Sequence, residues 1–261
     1  MNTSVVISLN GVPLNEVHSS IILSKVDELP IQMDRSMSSR SGDGQDITRS
    51  VRKYLAVRVS FQIAIRKNDI TTRYAVLDAV RKWAMNGGEL TVNYRSGKHL
   101  SVVCETQPAV GYIRDWVNTY VIEFRAYGVP YWEADSANTI AANAISSELE
   151  LENVGTSATP LSFTLLNNSA NTINAVHITA NGYDMVFSSL GMVTGETLRV
   201  SYVAGRQTVD IIGVDGDTRG AYGKRTAESA DDVWLLPGIN TVEVSSSARG
   251  RYTLSCVGRF D

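Results

Sequence analysis

Apolar and polar residues alternate without a break over residues 55–65, LAVRVSFQIAI. One face of this segment carries Leu55, Val57, Val59, Phe61, Ile63 and Ile65. A period of two predicts a β-strand that is buried on one face. At about 3.3 Å per residue the strand would be about 35 Å long, which is longer than most strands of globular proteins.

The period changes to that of a helix in the next segment, residues 68–88, NDITTRYAVLDAVRKWAMNGG. The expected apolar face consists of Ile70, Tyr74, Leu77, Val80 or Arg81, and Ala84. This spacing predicts one amphipathic helix that covers one face of a sheet. Asn68 or Asp69 can cap its start, and the Asn-Gly-Gly sequence at 86–88 ends it.

Turn signals divide the rest of the first half into strands. Asn10-Gly11 lies between apolar runs and predicts a tight hairpin turn. The segment ELTVNYRSGKHLSVVCET predicts a second hairpin that turns at Ser96-Gly97. The segment WVNTYVIEFRAYGVPYWE predicts a last strand, which ends at Pro130.

The second half contains seven short apolar runs: PLSFTLL, INAVHITA, YDMVFSS, ETLRVSYV, QTVDIIG, NTVEVSS and YTLSCVG. Gly, Asn, Asp and Ser separate them, and this spacing predicts a β-sandwich. Residues 133–150 are rich in Ala, Ser and Asn, so we expect a linker there, in part paired with a neighbouring strand. The predicted domains are therefore 1–132 and 151–261, and the predicted fold class is mainly β.

The stretch WLLPGINTVEV, residues 234–244, contains a tight turn centred on Pro237-Gly238. Proline suits the first central position of such a turn, and glycine supplies the positive φ of the second. Beyond the turn, the alternation predicts that Ile239, Val242 and Val244 face a core. Asn240, Thr241 and Glu243 are then expected to face water.

Charge and composition refine this picture of two domains. Residues 1–130 carry 16 Lys and Arg against 12 Asp and Glu, a net charge of +4, and residues 131–261 carry 8 against 15, or −7. This asymmetry is too mild to predict nucleic-acid binding. Cys104 and Cys256 are far apart in the sequence, so we expect free thiols in a reducing compartment. No apolar run approaches the length of a membrane helix and the start does not resemble a secretory signal, so no membrane insertion is expected.

Residues 34–53, DRSMSSRSGDGQDITRSVRK, fit neither the strand nor the helix pattern. Its apolar residues are Met37, Ile47 and Val51 alone. A largely polar loop of twenty residues inside a compact domain is uncommon and is usually functional or mobile. Two interpretations remain open. The segment is either a solvated surface loop or an arm that becomes ordered on a partner.

The sequence contains no recognisable catalytic, cofactor-binding or metal-binding motif. The three histidines, His18, His99 and His177, lack partners at metal-ligand spacing. The turn at residues 215–220, DGDTRG, starts like a calcium loop, but Arg219 occupies the third ligand position. We therefore expect no enzyme and no cofactor. Four tryptophans could instead line a sugar groove, so a carbohydrate-binding β-sandwich protein without enzymatic activity is the alternative: Trp83, Trp116, Trp132 and Trp234.

The order of the motifs resembles that of the distal tail proteins (Dit) of long-tailed, non-contractile phages. VISLNG is followed by RSGDGQ, by LAVRVSFQIAI, by the helix RYAVLDAVRKWAM, and by GGELTVNY and YVIEFRAYGVPYWE. NVGTSATP, GETLRVSY and WLLPGINTVEV complete the series in the second half.

The resemblance implies a structural protein of the virion tail tip. The N-terminal domain would be a β-sandwich or split barrel with one helix and would form a ring, usually a homohexamer. The ring would join the tail tube protein to the baseplate hub or tip protein, and viral DNA would pass through its channel without specific binding. The C-terminal domain would be a galectin-like β-sandwich that projects outward as an attachment site for host-adhesion components, including a receptor-binding protein.

A subunit interface within the polar segment is the one site that we predict. Closing a ring of identical subunits requires that one surface of a subunit meets a different surface of its neighbour. The expected interface residues are Arg40, Gly42, Asp43, Gly44, Arg49, Arg52 and Lys53. The arginines would make charge-assisted contacts, and the glycines would allow a sharp bend.

Overall fold

The structure is a computed structural model that describes residues 5–30, 32–34, 53–66, 69–108, 119–203 and 205–260; at 32–34 and 53–55 it describes the backbone alone. It contains two compact units, Met1–Trp132 (with Asp261) and Glu133–Phe260. Strands dominate both units, which confirms the predicted fold class.

The elements of the first unit are β1 (Ile7–Leu9), β2 (Val12–Pro13), α1 (Leu14–Val17), β3 (Ile21–Leu29), β4 (Gln32–Asp34), β5 (Lys53–Leu55), β6 (Arg58–Ile65), α2 (Ile70–Ala84), β7 (Gly88–Val92), β8 (Lys98–Thr106) and β9 (Thr119–Ala126). Antiparallel pairing connects seven of them in the order β3–β6–β9–β8–β7–β1–β2. The short helix α1 was not expected.

The long strand predicted over residues 55–65 is divided in two. β5 pairs with β4, whereas β6 pairs with β3 and β9, so the chain changes partners at Ala56-Val57. The predicted buried face is correct from Val57 onward, since the alternate residues up to Ile65 are all buried.

The predicted hairpin at Asn10-Gly11 is confirmed. Both residues have positive φ, 52° and 75°, and Leu9 pairs with Val12 across the turn. Two central residues of positive φ match the right-handed twist of the flanking strands, which is why Asn-Gly favours this turn. The Asn10 side chain also donates to the Gly87 carbonyl at 3.0 Å and accepts from the Glu89 amide at 2.9 Å.

Helix α2 starts as predicted but turns a different face to the core. Asp69 caps it, because its Oδ2 accepts from the Thr72 amide at 2.7 Å. The buried residues are Val76, Leu77, Val80 and Ala84. Ile70 and Tyr74 are 65% and 43% exposed, so their prediction as part of the apolar face was wrong. Their positions are in the first turns of α2, and the buried stripe is rotated toward Val76.

Aromatic rings form the centre of the first unit's core. The rings of Phe61 and Phe124 are packed edge to face with 5.9 Å between their centroids. The centroid of the Trp83 ring, on α2, lies 6.0 Å from that of Phe124. Such edge contacts add to the free energy gained from burying the rings. Within the described residues, no helix has the length and apolar character needed to cross a membrane.

The elements of the second unit are β10 (Trp132–Asn153), β11 (Thr159–Pro160), β12 (Ser162–Leu166), β13 (Val176–Ala180), β14 (Tyr183–Phe187), β15 (Thr197–Val203), β16 (Arg206–Ile212), β17 (Thr218–Gly220), β18 (Trp234–Leu235) and β19 (Gly238–Phe260). One sheet has the order β17–β16–β15–β12–β19, and β14 and β13 continue from another part of β19. One large apolar core lies within this unit.

Strand β19 doubles back, so two separate parts of it pair with different strands. Its residues 243–246 pair with β13, and its residues 251–255 pair with β12. Asn240 Nδ2 lies 3.5 Å from the Leu151 carbonyl, and Cys256 Sγ lies 3.3 Å from the Glu152 carbonyl. A straight strand would separate Asn240 and Cys256 by about 50 Å. The two runs that were predicted as separate strands, NTVEVSS and YTLSCVG, are therefore one bent strand.

Residues 133–150, where we expected a linker in part paired with a neighbouring strand, lie within strand β10. It also bends, because Asn138 Nδ2 donates to the Glu152 carbonyl at 2.8 Å. The small side chains that suggested a linker alternate between exposed and half-buried positions along β10, as expected for a strand with one covered face. The small side chains of residues 133–150 therefore belong to a bent strand.

Candidate functional site

The predicted interface residues lie almost entirely outside the described part of the chain. Arg40, Gly42, Asp43, Gly44, Arg49 and Arg52 belong to the undescribed segment 35–52. Lys53 begins β5, where its backbone pairs with Asp34 of β4. The ends of the segment are thus held together by a short antiparallel ladder, and the interface itself stays a prediction.

A cleft of about 730 Å³ lies between β3 and the segment that leads into β1. Its walls are mostly aliphatic and include Val5, Val6, Leu14, Ile22 and Val26. Val5 and Val6 are 41% and 36% exposed. A mostly apolar concavity of this size is typical of a binding surface.

The cleft lies along β3, which is an edge strand. Among the described strands β3 pairs with β6 alone, so its second backbone edge has no strand partner there. A bulge between Leu23 and Lys25 bends the strand, and Ser24 Oγ donates to the Gln62 carbonyl at 2.9 Å. Bulges are common on edge strands, where they help to limit unwanted pairing.

Glu28 forms the polar end of the cleft. Its carboxylate accepts from Trp132 Nε1 at 2.8 Å, from Arg95 Nε at 3.1 Å and from the Tyr94 hydroxyl at 3.3 Å. Arg95 Nη2 makes an ion pair with the same carboxylate, and the guanidinium lies 5.1 Å above the Trp132 ring. The carboxylate is thus surrounded by donors, and the cluster holds β3 against the loop after β7.

The electrostatics of this cluster are those of a fixed structural contact. Burial and the nearby charge of Glu28 raise the pKa of Tyr94 to about 12. Tyr94 therefore keeps its proton and its donor role at neutral pH. Burial, and then the charge of Arg95, lower the pKa of Lys98. Tyr94 and the groups around Glu28 are therefore suited to holding β3 in place rather than to transferring protons.

Sequence reasoning did not find this site. No local motif connects its residues, because Arg95 and Trp132 follow Glu28 by 67 and 104 residues in the sequence. The segment SIILSKVDEL could have indicated strand β3. The alternation of residues within one strand, however, predicts neither that the strand lies at the edge of a sheet nor that a cleft forms beside it. Only the pairing of distant strands creates both.

A second polar cluster, on the β13–β14 hairpin, superficially resembles a catalytic triad. His177 Nε2 lies 3.1 Å from Asp184 Oδ1 and 3.0 Å from Thr179 Oγ1. Thr179, however, donates to Asp184 at 2.6 Å, so its proton is directed at the carboxylate and not at the imidazole of His177. The hydrogen bonds of Thr179 and then His177 lower the pKa of Asp184. The group has no activated nucleophile.

The calcium-like turn has a structural role. The Gly213 amide donates to the Asp217 carbonyl at 2.7 Å, which closes the turn, and Arg219 pairs with Glu196. In the described part of the chain, no three His, Cys, Asp or Glu side chains are grouped closely enough to hold a metal.

Two of the four tryptophans are already engaged within the protein. Trp83 donates to the Val12 carbonyl at 3.0 Å and packs on Phe124, and Trp132 is fully buried. Trp234 is half-buried in β18, and Trp116 lies outside the described residues. Two of the three described tryptophans, Trp83 and Trp132, therefore make their contacts in the interior of the first unit.

No family model matches this sequence, and no curated protein matches it. A solved structure does match in three dimensions: the SPP1 Dit (gp 19.1) protein, described as a paradigm of the hub adsorption apparatus in phages that infect Gram-positive bacteria. The TM-score is 0.73, and the alignment covers 99% of this chain and 100% of that chain at 10% identity. The fold is Dit-like. Both halves of the Dit-like fold are present, since the alignment leaves no large part of either chain unmatched.

Proposed function

We propose that this chain is a structural protein of a phage tail. Copies of it form a ring that joins the tail tube to the baseplate or tip and serves as an attachment hub for host-adhesion components. One observation carries the proposal: the Dit-like fold extends over 99% of the chain. A shared fold alone does not define function, so assembly has to be tested directly.

The open surfaces of the first unit support ring formation. β3 and β2 stand at the two ends of the strand order, and the cleft beside β3 offers an apolar surface to a second chain. A closed ring requires two different complementary surfaces on each subunit. Residues 1–132 would form the ring, and the galectin-like C-terminal domain, residues 151–261, would project outward.

The proposed partners follow from this position in the virion tail. They are further copies of the chain, as a homohexamer, the tail tube protein, the hub or tip protein and a receptor-binding protein. Viral DNA would pass through the channel without specific binding. We infer a non-enzymatic role, because the protein whose fold this chain shares is described as part of an adsorption apparatus.

The experiment is a measurement of assembly. Light scattering coupled to size-exclusion chromatography gives the mass of the purified chain, and negative-stain electron microscopy gives its shape. We expect closed rings with a central hole. A protein that stays monomeric up to millimolar concentration, or that binds oligosaccharides as a monomer, would favour the carbohydrate-binding alternative.

A further inference from the structure

We propose that the exposed apolar turn Leu236–Ile239 of one copy binds in the cleft of the first unit of a neighbouring copy. This inference rests on the proposed function, because the contact forms only if copies assemble. It assigns a partner surface to each of two features that the fold of a single chain leaves exposed.

The turn is held rigidly by Asn240. This side chain is 3% exposed, although the sequence pattern predicted that it faces water. Its Oδ1 accepts from the Leu236 amide at 2.9 Å and from Asn181 Nδ2 at 2.7 Å, and its Nδ2 donates to the Leu236 and Gly238 carbonyls at 2.8 Å each. A buried amide that satisfies this many partners fixes the backbone around it.

The rigid turn presents apolar side chains to solvent. Ile239 is 72% exposed and Leu236 is 52% exposed, whereas the expected position of Ile239 was in the core. Gly238 has φ +94°, which turns the chain so that Asn240 rather than Ile239 points inward. Two exposed aliphatic residues on a preorganised turn lose little conformational entropy on binding, which favours a role as an anchor.

Acidic residues beside the turn define the chemistry of its partner. Asn240 Nδ2 lies 3.5 Å from the Leu151 carbonyl, and the exposed Glu150 and Glu152 flank Leu151 on β10. Residues 133–260 carry 8 Lys and Arg against 14 Asp and Glu, a net charge of −6. Like charges oppose the docking of this turn on the same turn of a second copy. The partner should be apolar and of positive net charge.

The first unit of a second copy has these properties. Residues 1–132 carry 16 Lys and Arg against 12 Asp and Glu, a net charge of +4. The cleft is walled mostly by aliphatic side chains, and its two charged lining residues, Lys25 and Glu28, are already paired with Asp27 and Arg95. The favourable charge is therefore that of the first unit as a whole. A turn in one unit and a cleft in the other form a heterologous contact, which can repeat between neighbouring copies around the ring that residues 1–132 would form.

Cross-linking between two tagged variants tests this contact. In a Cys104→Ser/Cys256→Ala background, Ile239→Cys is placed in one chain and Val5→Cys in the other, and the two are produced together. Because a disulfide needs Cα atoms within about 7 Å, we expect a mixed cross-linked dimer at about ten times the control yield after mild oxidation. The matched controls replace Ile239→Cys by Val214→Cys, which is 76% exposed in the same unit, and Val5→Cys by Leu29→Cys, which is 48% exposed on β3.

The possible results separate this inference from the proposed function. Rings of wild-type mass with a mixed cross-link at the control level would overturn the inference and leave the ring intact. A dominant cross-link between two Ile239→Cys chains would also overturn it, because the contact would then be symmetric. A chain that never assembles would overturn both.

A charge substitution provides a second readout. Ile239→Asp should raise the concentration at which the assembly dissociates by about tenfold or more, because a buried aliphatic anchor would become a charge. Val214→Asp, an equally exposed change in the same unit, should leave that concentration unchanged. Equal effects of the two variants would contradict the assignment of the turn, and circular dichroism of both confirms that the fold is retained.

Discussion

Arg219 holds the carboxylate of Glu196 with both terminal nitrogens of its guanidinium group, and the Nη2–Oε2 distance is 2.8 Å. Glu196 also accepts from the Val193 amide at 2.9 Å. The Arg219 hydrogen bonds are the main reason why the pKa of Glu196 is lowered from its usual 4.5. This pair ties the turn before β15 to β17.

The lowered pKa of Glu196 makes the second unit acid-sensitive. A carboxyl group whose pKa is lower in the folded than in the unfolded chain stabilises the folded state. Its contribution is complete above the pKa of the unfolded chain and is lost as the pH falls through the pKa of the folded chain. Glu196→Gln should therefore reduce stability by about 1–2 kcal/mol at pH 7 and flatten its pH dependence below pH 4.5. Thermal unfolding between pH 3 and 7 measures this. Asp210→Asn removes an ion pair with Arg199 in which the carboxylate is more exposed, 23% against 9% for Glu196, and should change stability by less than about 1 kcal/mol.

Glu28 should matter far more than its neighbour Asp27. Glu28→Ala removes the acceptor of the buried Trp132 indole and an ion-pair partner of Arg95, so we expect a loss of about 1.5–3 kcal/mol. Asp27→Ala removes a surface ion pair with Lys25, in which the Asp27 side chain is 48% and the Lys25 side chain 61% exposed. This change should lower the free energy of unfolding by less than about 1 kcal/mol. Urea unfolding of both variants gives the comparison. Equal losses would show that the Glu28 cluster does not hold β3 in place.

Asn240→Ala should destabilise the second unit by about 2–3 kcal/mol, because backbone groups of the Leu236–Gly238 turn would lose their partners. Asn168→Ala removes an exposed side-chain bond to Asn143 and serves as the control, with an expected change below about 0.5 kcal/mol. Denaturation curves of the two variants would distinguish a buried amide from an exposed one.

The two cysteines should be free and unequal in reactivity. Burial, and then the charge of Glu152, raise the pKa of Cys256 to about 11, so its thiolate is scarce at neutral pH. Burial also raises the pKa of Cys104, which is only half-buried. A thiol reagent should find two thiols in denatured, unreduced protein, and in native protein it should modify Cys104 first. Detection of no thiol would mean that the two units are bridged.

The polar segment can be tested as part of the ring interface. Changing Arg40, Arg49 and Arg52 together to Glu should leave the single chain folded and shift the ring toward free subunits, because each interface would lose the same contacts. Single exposed pairs contribute only about 0–1 kcal/mol, so the triple change is needed. Light scattering at fixed salt follows the assembly. Rings that form at the wild-type concentration would favour the solvated-loop interpretation.

The sequence by itself determined the features that depend on a few neighbouring residues. Asn10-Gly11, the Asp69 cap and the buried face from Val57 to Ile65 follow from local sterics, from backbone hydrogen bonding and from a period of two. Positive φ at Gly238 was equally predictable, because proline and glycine restrict that turn locally.

The tertiary structure decided whatever depends on which distant strands meet. It placed Asn240 inside and Ile239 outside, because one amide could satisfy the backbone of the whole turn. It converted an apparent linker into the bent strand β10, and it brought Glu28, Arg95 and Trp132 together across 104 residues. Alternation along one strand shows that two faces differ, but the pairing partners determine which residues a bend, an edge or a cleft leaves exposed.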